Sequence, residues 1–355
     1  LGSHNVTIGY RDTEDDEDRM QWYEYTDWAN GSLTPLVAGN MPGYSSNNRV
    51  TSAKASAFFI SDEIIWDNLT ITAGMRSEEW DISQERYLDT ARTAVNEAAG
   101  YPKQLSDSNE TVFGLGFTYD LANGYSILGG YHEGFTPTSG GANPESSDNL
   151  ELGVRYASDD YTFAAIYFNT DYANMFGECR ASSSGVVEGC EIGDTFNAGE
   201  STISGLEVSY ASGWEFRDGN LMSAKLIYTL TNAEFDTTFD SNFWGNVTQG
   251  MDIPNVPQSQ LALILGADFN NGWEADLRTL YYGSTCAVAS CSVNTEIDSY
   301  FITDLSVQKE INGNTDFYMV IENLFDSEDI VARAPKNGIR TQRPRSYGVG
   351  LRYRF

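Results

Sequence analysis

Four cysteines, arranged in two close pairs, are the residues of this chain best placed to form covalent links. Cys179 and Cys190 enclose a ten-residue stretch, and Cys286 and Cys291 enclose a four-residue stretch. Neither pair has a second cysteine cluster or histidine partners at the spacing of a zinc site, which makes metal binding the weaker interpretation. We therefore expect two disulfides, each closing one loop, in a protein that folds in an oxidising compartment.

An acidic run near the start of the sequence, Asp12–Asp18, could supply oxygen ligands to Ca²⁺, a cation that prefers carboxylates. The run lacks the glycine and the terminal glutamate that an EF-hand loop has at fixed spacing. We expect instead a solvated face whose carboxylates repel one another. The sequence therefore predicts no metal site.

Catalysis has little support in the sequence. The two histidines, His4 and His132, have no nucleophile motif around them, and neither a P-loop nor a dinucleotide-binding fingerprint is present. Pairs of Asp and Glu are frequent, but 51 acidic residues in a chain of 355 make chance pairs unavoidable. We expect a protein that is not an enzyme and that holds no covalently bound cofactor.

The net charge of −30 comes from 51 acidic and 21 basic residues. This excess argues against nucleic acid and against anionic lipid headgroups as primary partners. A helical membrane bundle is also a poor fit, because the longest apolar run, around Leu261–Ala267, falls far short of the ~20 residues of a spanning helix. A transmembrane β-barrel escapes this test, since only every second residue of its strands meets lipid.

Alternating apolar and polar residues, the period of a β-strand, recur along the whole chain. The final segment ends on an aromatic residue, and its apolar members are Tyr347, Val349, Leu351, Tyr353 and Phe355. Other segments carry charged residues on their polar side: Glu151, Arg155, Glu274, Asp276 and Arg278. An Arg facing the middle of a bilayer would cost about 2–4 kcal/mol, so the charged side should face the lumen of a barrel.

The sequence predicts fourteen strands, or fifteen if the acidic run Asp12–Asp18 is a loop. Short turns and long polar connections alternate between them, and all nine prolines lie in the long connections or at their junctions with strands. This pattern is typical of an outer-membrane barrel, whose short turns are periplasmic and whose long loops are extracellular. The predicted strands cover about 4–28, 50–61, 69–78, 110–119, 124–133, 149–157, 161–171, 201–212, 219–234, 258–269, 273–283, 297–309, 314–324 and 344–355.

Several stretches, in their order and spacing, resemble the barrel of TonB-dependent outer-membrane receptors. They are N-L-F-D at Asn323–Asp326 with the strand that follows it, Asn143–Tyr156, Ala57–Ile64 and Thr70–Trp80. Residues 2–19 are similar to the ferric dicitrate receptor branch in particular. The resemblance implies an all-β fold, a transmembrane antiparallel β-barrel, with residues 1–355 forming one barrel domain. Family members have 22 strands, a plug inside the barrel and a TonB box ahead of it, so we expect this chain to be the C-terminal two-thirds of such a barrel, without the plug domain.

The resemblance also implies a location and a function. We expect a multi-pass β-barrel in the bacterial outer membrane that imports a ferric chelate or a similarly scarce nutrient and is energised through TonB. Iron would be present only as part of the transported chelate. The implied partners are outer-membrane lipid and lipopolysaccharide, TonB through the plug region, and the barrel-assembly machinery, whose signal would include Tyr353 and Phe355.

Binding of an anionic chelate requires cationic side chains that converge on the vestibule. The candidate ligand-binding residues are Arg11, Arg19, Arg180, Asn337 and Arg340. Each Arg could instead neutralise a neighbouring carboxylate, and the high acidic content leaves a cationic or neutral ligand open.

Two other classes of function stay open. The first is a self-contained passive channel of fourteen strands, and the second is an acidic surface adhesin that binds through its disulfide-closed loops. A plug encoded upstream would favour the receptor, whereas a signal peptide just before residue 1 would favour the channel.

Overall fold

The computed structural model describes residues 2–20, 25–29, 32–37, 48–137, 142–178, 195–241, 244–333 and 338–355. Fourteen long strands, named β1 to β14 in chain order, form one antiparallel sheet, which confirms the predicted fold class and strand count. Their bounds are β1 Ser3–Met20, β2 Asn48–Trp66, β3 Leu69–Arg86, β4 Lys103–Asp120, β5 Tyr125–Thr136, β6 Glu145–Ala157, β7 Tyr161–Glu178, β8 Thr195–Phe216, β9 Asn220–Phe235, β10 Ser259–Phe269, β11 Trp273–Tyr282, β12 Tyr300–Asn312, β13 Thr315–Glu322 and β14 Ser346–Tyr353.

Each strand pairs with the next one along the chain, so the order in the sheet is the order in the sequence. Within the residues described, β1 and β14 are the two edges of the sheet and each pairs on one side only. Connections of a few residues lie at one end of the sheet, here called the short-turn end, and long connections lie at the other, the long-loop end. The predicted alternation of short and long connections is therefore confirmed.

Local backbone geometry explains the tight turns. Between β8 and β9, Arg217, Asp218 and Gly219 have φ angles of 44°, 54° and 79°, in the left-handed region that lets the chain reverse within three residues. Among the residues described, no helix is long and apolar enough to cross a membrane. The long connections contain four small hairpins, which pair Tyr25–Ala29 with Ser32–Val37, Phe239–Ser241 with Gly245–Val247, Thr285–Cys286 with Glu296–Ile297, and Ile330–Ala332 with Arg340–Thr341.

The acidic run Asp12–Asp18 lies inside β1, where its register partners are residues 50–56 of β2. Fourteen strands is therefore the right count rather than fifteen. The run is divided between the two faces of the strand, since successive side chains point to opposite sides. The prediction that one strand runs from residue 4 to residue 28 is wrong: β1 is described as Ser3–Met20, and Tyr25–Ala29 pairs with Ser32–Val37 in a separate hairpin.

The register aligns the apolar alternation of all fourteen strands on one face, here called the outer face. Its members include Val6, Ile8, Leu115, Leu152, Val349 and Leu351, which are 54%, 64%, 59%, 50%, 69% and 68% exposed. The predicted lumenal charges Glu151, Arg155, Glu274, Asp276 and Arg278 lie on the other side, the inner face. Soluble monomers rarely expose an apolar patch of more than a few hundred Å², so the outer face requires an apolar environment.

Glycines let neighbouring strands approach closely on the inner face. At Gly205 in β8, a Cβ atom would lie 2.1 Å from the carbonyl oxygen of Leu230 and 2.5 Å from Cζ of Phe168. At Gly116 in β4, a Cβ atom would meet only the carbonyl oxygen of Gly129, at the ordinary contact distance of 3.6 Å. The two positions therefore differ in the space that they leave for a side chain.

Replacing Gly205 with Val should destabilise the sheet, because a side chain there must displace the Phe168 ring and the backbone of β9. Overpacking of this kind costs about 1–3 kcal/mol. Gly116→Val is the matched control, since it adds the same side chain to the same face where space is available. The measurement is the temperature at which the detergent-solubilised barrel loses its compact form on a gel. Equal melting temperatures for the two variants would contradict the packing described at Gly205.

Candidate functional site

A pocket lies on the inner face of the sheet at the long-loop ends of β10, β11 and β12. Gln260, Tyr282 and Tyr300 form one row across these strands, because Tyr282 is the register partner of both other residues. The tyrosine rings are stacked, with centroids 5.1 Å apart and an interplanar angle of 27°. The strand ladder thus presents two aromatic rings and a carboxamide at the same level.

The loops above this row complete the pocket, here called the tyrosine pocket, which has a volume of about 320 Å³. None of its lining side chains is Asp, Glu, Lys, Arg or His. The lining residues are Asn255, Pro257, Gln260, Tyr282, Gly283, Thr285, Ile297, Tyr300, Val331 and Ala332. Its size and composition are those of a small-molecule site, with mostly apolar and aromatic walls and a few polar groups.

A disulfide lies next to the tyrosine pocket, since Cys286 follows the lining residue Thr285. Cys286 and Cys291 are bonded, with Cα atoms 5.6 Å apart, and close a loop inside the connection between β11 and β12. The N–H of Asn255 donates to the carbonyl of Cys286 at 2.8 Å, and the N–H of Ala287 donates to the carbonyl of Thr295 at 2.9 Å. The disulfide loop is therefore hydrogen-bonded both to the residues that follow it and to the preceding long connection.

A small hydrophobic core supports this arrangement from the β9–β10 connection. Phe235 and Val247 are 0% and 2% exposed, and the ring of Trp244 lies 5.4 Å from that of Phe235. The N–H of Ala289, in the disulfide loop, donates to the carbonyl of Trp244 at 2.8 Å. Two long connections thus pack as one unit beside the tyrosine pocket.

The opposite wall belongs to the last long connection, which Asn323 fastens at its base. The Asn323 side-chain amide donates to the carbonyls of Ser327 and Arg343 at 2.9 and 2.8 Å, and its oxygen accepts the N–H of Ser327 at 3.0 Å. The N–H of Asn323 donates to Asp304 of β12 at 3.0 Å. These bonds give the N-L-F-D motif a local role in positioning the hairpin that contains Ala332.

Residues 1–324 match the family model described as TonB dependent receptor-like, beta-barrel. The chain belongs to this family. The ferric enterobactin receptor of Pseudomonas aeruginosa is 23% identical over 304 residues, which cover 81% of the chain and 40% of that protein. Two solved structures share the fold of this chain, but their sequence identity to it is too low to indicate a shared ligand or function.

The siderophore receptor PiuA from Acinetobacter baumannii superposes with a TM-score of 0.76 and 17% identity, over 99% of this chain and 53% of PiuA. The ferric citrate transporter FecA, in its unliganded form, gives a TM-score of 0.72 and 18% identity, over 99% and 51% of the two chains. The chain therefore spans about half the length of these receptors. Because receptors of several kinds fit comparably, the dicitrate branch is not singled out.

The cationic residues predicted to bind ligand do not form one cluster in the part of the chain that the structure describes. Arg11 and Arg19 lie on β1, opposite Ala57 and Arg49. Arg340 lies in the last long connection, beyond β13. Twelve spacings of about 4.8 Å separate β13 from β1, so Arg340 is on the order of 60 Å from Arg11 and Arg19 along the sheet. Arg180 and Asn337 lie outside the described residues. Binding by any of the five stays a prediction.

Arg340 is the predicted residue that lies next to the tyrosine pocket, because its register partner is the lining residue Ala332. Sequence reasoning missed Arg333, which follows Ala332 and whose Nε donates to the carbonyl of Glu296 at 2.8 Å. It also missed the row of Gln260, Tyr282 and Tyr300. The sequence signal that could have revealed this row is the pair Tyr282 and Tyr300, which occupy inner-face positions on two consecutive strands.

The remaining predicted residues have separate places in the chain. The Cys286–Cys291 disulfide is present, whereas Cys179 and Cys190 lie outside the described residues. Tyr353 ends β14, and its ring meets that of Phe355 edge-on, with centroids 5.1 Å apart. Both rings are exposed, and their part in barrel assembly stays a prediction.

The loop after β3 is fastened to β1. Arg92 donates to Oδ1 of Asp18 at 2.5 Å. Asp89 accepts the N–H of Thr93 at 3.1 Å and the N–H of Ala94 at 2.8 Å, and these hydrogen bonds hold the pKa of the Asp89 carboxyl below its usual value. The stabilisation of this turn is therefore present at neutral pH and is lost as the pH falls through the lowered pKa.

A larger hollow, of about 770 Å³, lies near the long-loop ends of β1 to β4. Its charged lining residues are Asp12, Glu14, Lys54, Glu79, Asp81 and Asp107, all on the outer face. Nζ of Lys54 lies 3.0 Å from Glu14. Five carboxylates around one paired cation would repel an anionic ligand, so we place the candidate site in the tyrosine pocket.

Asn323→Ala should loosen the last long connection, because it leaves the carbonyls of Ser327 and Arg343 without their donor. A buried polar group that loses its partner costs about 1–3 kcal/mol. We expect faster cleavage of this connection by trypsin while the barrel stays intact. Asn314→Ala is the control, since it removes one exposed hydrogen bond, to the carbonyl of Arg354, at the short-turn end. Equal cleavage rates in the two variants would contradict the role assigned to Asn323.

Proposed function

We propose that this chain is part of an outer-membrane receptor that imports a ferric chelate and is energised through TonB. The observation that carries the proposal is the family match over residues 1–324. Its support is an exposed apolar outer face combined with a ladder in which the twelve inner strands, β2 to β13, pair on both sides, as a bilayer demands. The relatives named above are receptors or transporters of siderophores, ferric enterobactin or ferric citrate.

The described geometry suggests how the chain contributes. The outer face meets lipid and lipopolysaccharide, while the long-loop end faces the cell exterior and forms the vestibule. Ligand is captured there, TonB acts on the plug region, and the chelate passes through the lumen. Barrel-assembly machinery reads the exposed aromatic end of β14. These steps concern the whole receptor and are part of the proposal.

The ferric dicitrate branch is one candidate for the ligand, on the similarity of residues 2–19. A small carboxylate chelate is anionic and needs converging cations. Near the tyrosine pocket the cations of the described part are Arg333 and Arg340, which are few for such a ligand. Ferric citrate is therefore included as one of several chelates in the growth experiment that follows.

Growth on single iron sources tests the proposal. We consider a strain that lacks other iron receptors. It should grow on at least one ferric chelate when it carries the gene that encodes this protein, and it should not grow on that chelate when the gene is deleted. The panel contains ferric complexes of citrate, of a hydroxamate and of a tricatechol ligand. Deleting TonB should abolish that growth, because uptake needs energy from the inner membrane.

Two results would contradict the proposal. Growth that is independent of the gene on every chelate would remove the iron assignment. Growth that depends on the gene but persists without TonB would instead favour the passive channel, since a channel needs no energy coupling.

A further inference from the structure

The tyrosine pocket has an uncharged and partly aromatic interior. Tyr282 and Tyr300 already stack on each other, so a third ring could extend the stack or meet their edges. Ile297, which is 3% exposed, and Val331 add apolar surface. Such walls favour a flat apolar group over a small charged one, because burying a charge without a partner is costly.

The volume of the pocket sets the size of that group. Benzene enters an engineered apolar cavity of about 150 Å³. The tyrosine pocket, at about 320 Å³, therefore has room for one aromatic ring with substituents. A complete siderophore complex is larger, so the pocket would take one arm of a chelate rather than the whole molecule.

Polar groups at the pocket suit an aromatic ring that carries oxygen atoms. The hydroxyls of Tyr282 and Tyr300 and the carboxamide of Gln260 have no hydrogen-bond partner within the described part of the chain. Arg333 and Arg340 flank the lining residue Ala332, one next to it in sequence and the other opposite it in the hairpin. Guanidinium groups at this border can neutralise an anionic complex whose ring lies inside.

We propose that the tyrosine pocket binds an oxygen-substituted aryl arm of an anionic ferric chelate, with Arg340 at the border contacting the charged complex. This inference rests on the proposed function and names the class of its substrate. An aryl chelate, of the catechol or phenolate type, is thereby favoured over a purely aliphatic chelate such as ferric citrate.

Binding to the purified whole receptor tests this inference. The probes are the ferric complexes of a synthetic tricatechol ligand and of citrate, and the readout is the dissociation constant of each. Tyr282→Leu should weaken tricatechol binding about tenfold, because it removes a stacking ring worth up to about 1.5 kcal/mol. Tyr282→Phe, which keeps the ring, should stay within about threefold. Arg340→Gln should weaken tricatechol binding, with an effect that shrinks at high salt.

Tyr281→Leu is the matched control, because Tyr281 lies next to Tyr282 on the same strand but on the outer face, where its ring contacts Phe301. It should leave tricatechol binding unchanged. Equal losses for Tyr281→Leu and Tyr282→Leu, or no loss for Tyr282→Leu, would overturn the inference. Tighter binding of ferric citrate than of the tricatechol complex would overturn it while leaving the proposed function intact. If neither complex binds but growth on a ferric hydroxamate depends on the gene, the inference is likewise overturned and the proposed function stands.

Discussion

Backbone hydrogen bonding is the constraint on which the rest of this structure depends. In hydrocarbon there is no water to satisfy an N–H or a C=O, and each unpaired group costs several kcal/mol. From β2 to β13, every strand takes its partners from the strands on both sides. The outer edges of β1 and β14 have no partner among the residues described, so the proposed membrane location requires further pairing for both edges.

The same ladder decides what faces the lumen. Because side chains alternate, one register places Leu115 and Val349 on the outer face and Glu151 and Arg278 on the inner face. A slip of one residue would exchange the two sets. The tyrosine pocket follows from this register as well, since Gln260, Tyr282 and Tyr300 belong to three strands and meet only through their pairing.

The long connections add a second kind of stability to the candidate site. Phe235, Val247 and Trp244 form a core that would suit a small soluble domain, and the disulfide loop is hydrogen-bonded to it. A binding surface gains from such support, because walls that are already ordered lose less entropy when a ligand binds. Asn323 serves the opposite wall in the same way through polar contacts rather than apolar ones.

The strands of the sheet could be predicted from the sequence, and the candidate site could not. The alternation of apolar and polar residues is a local pattern, so the strands at 110–119 and 149–157 could be read directly from the sequence. The first strand was predicted too long, because Tyr25–Ala29 pairs with Ser32–Val37 in a hairpin of its own, and local alternation does not reveal a change of partner. The tyrosine pocket escaped because it needs the register of three strands and the fold of two loops. Ligand residues were sought among cations alone, which led to Arg340 but not to the uncharged row beside it.

Accessibility along one strand tests the central claim most directly. Spin labels would be placed singly at positions 113 to 118 of β4, in the receptor reconstituted in lipid and with its native cysteines replaced by serine. Labels at 113, 115 and 117 should collide mainly with oxygen dissolved in the bilayer, and labels at 114, 116 and 118 mainly with a water-soluble relaxation agent. Accessibility that does not alternate, or that is high to the water-soluble agent at all six positions, would contradict a membrane wall with an outer and an inner face.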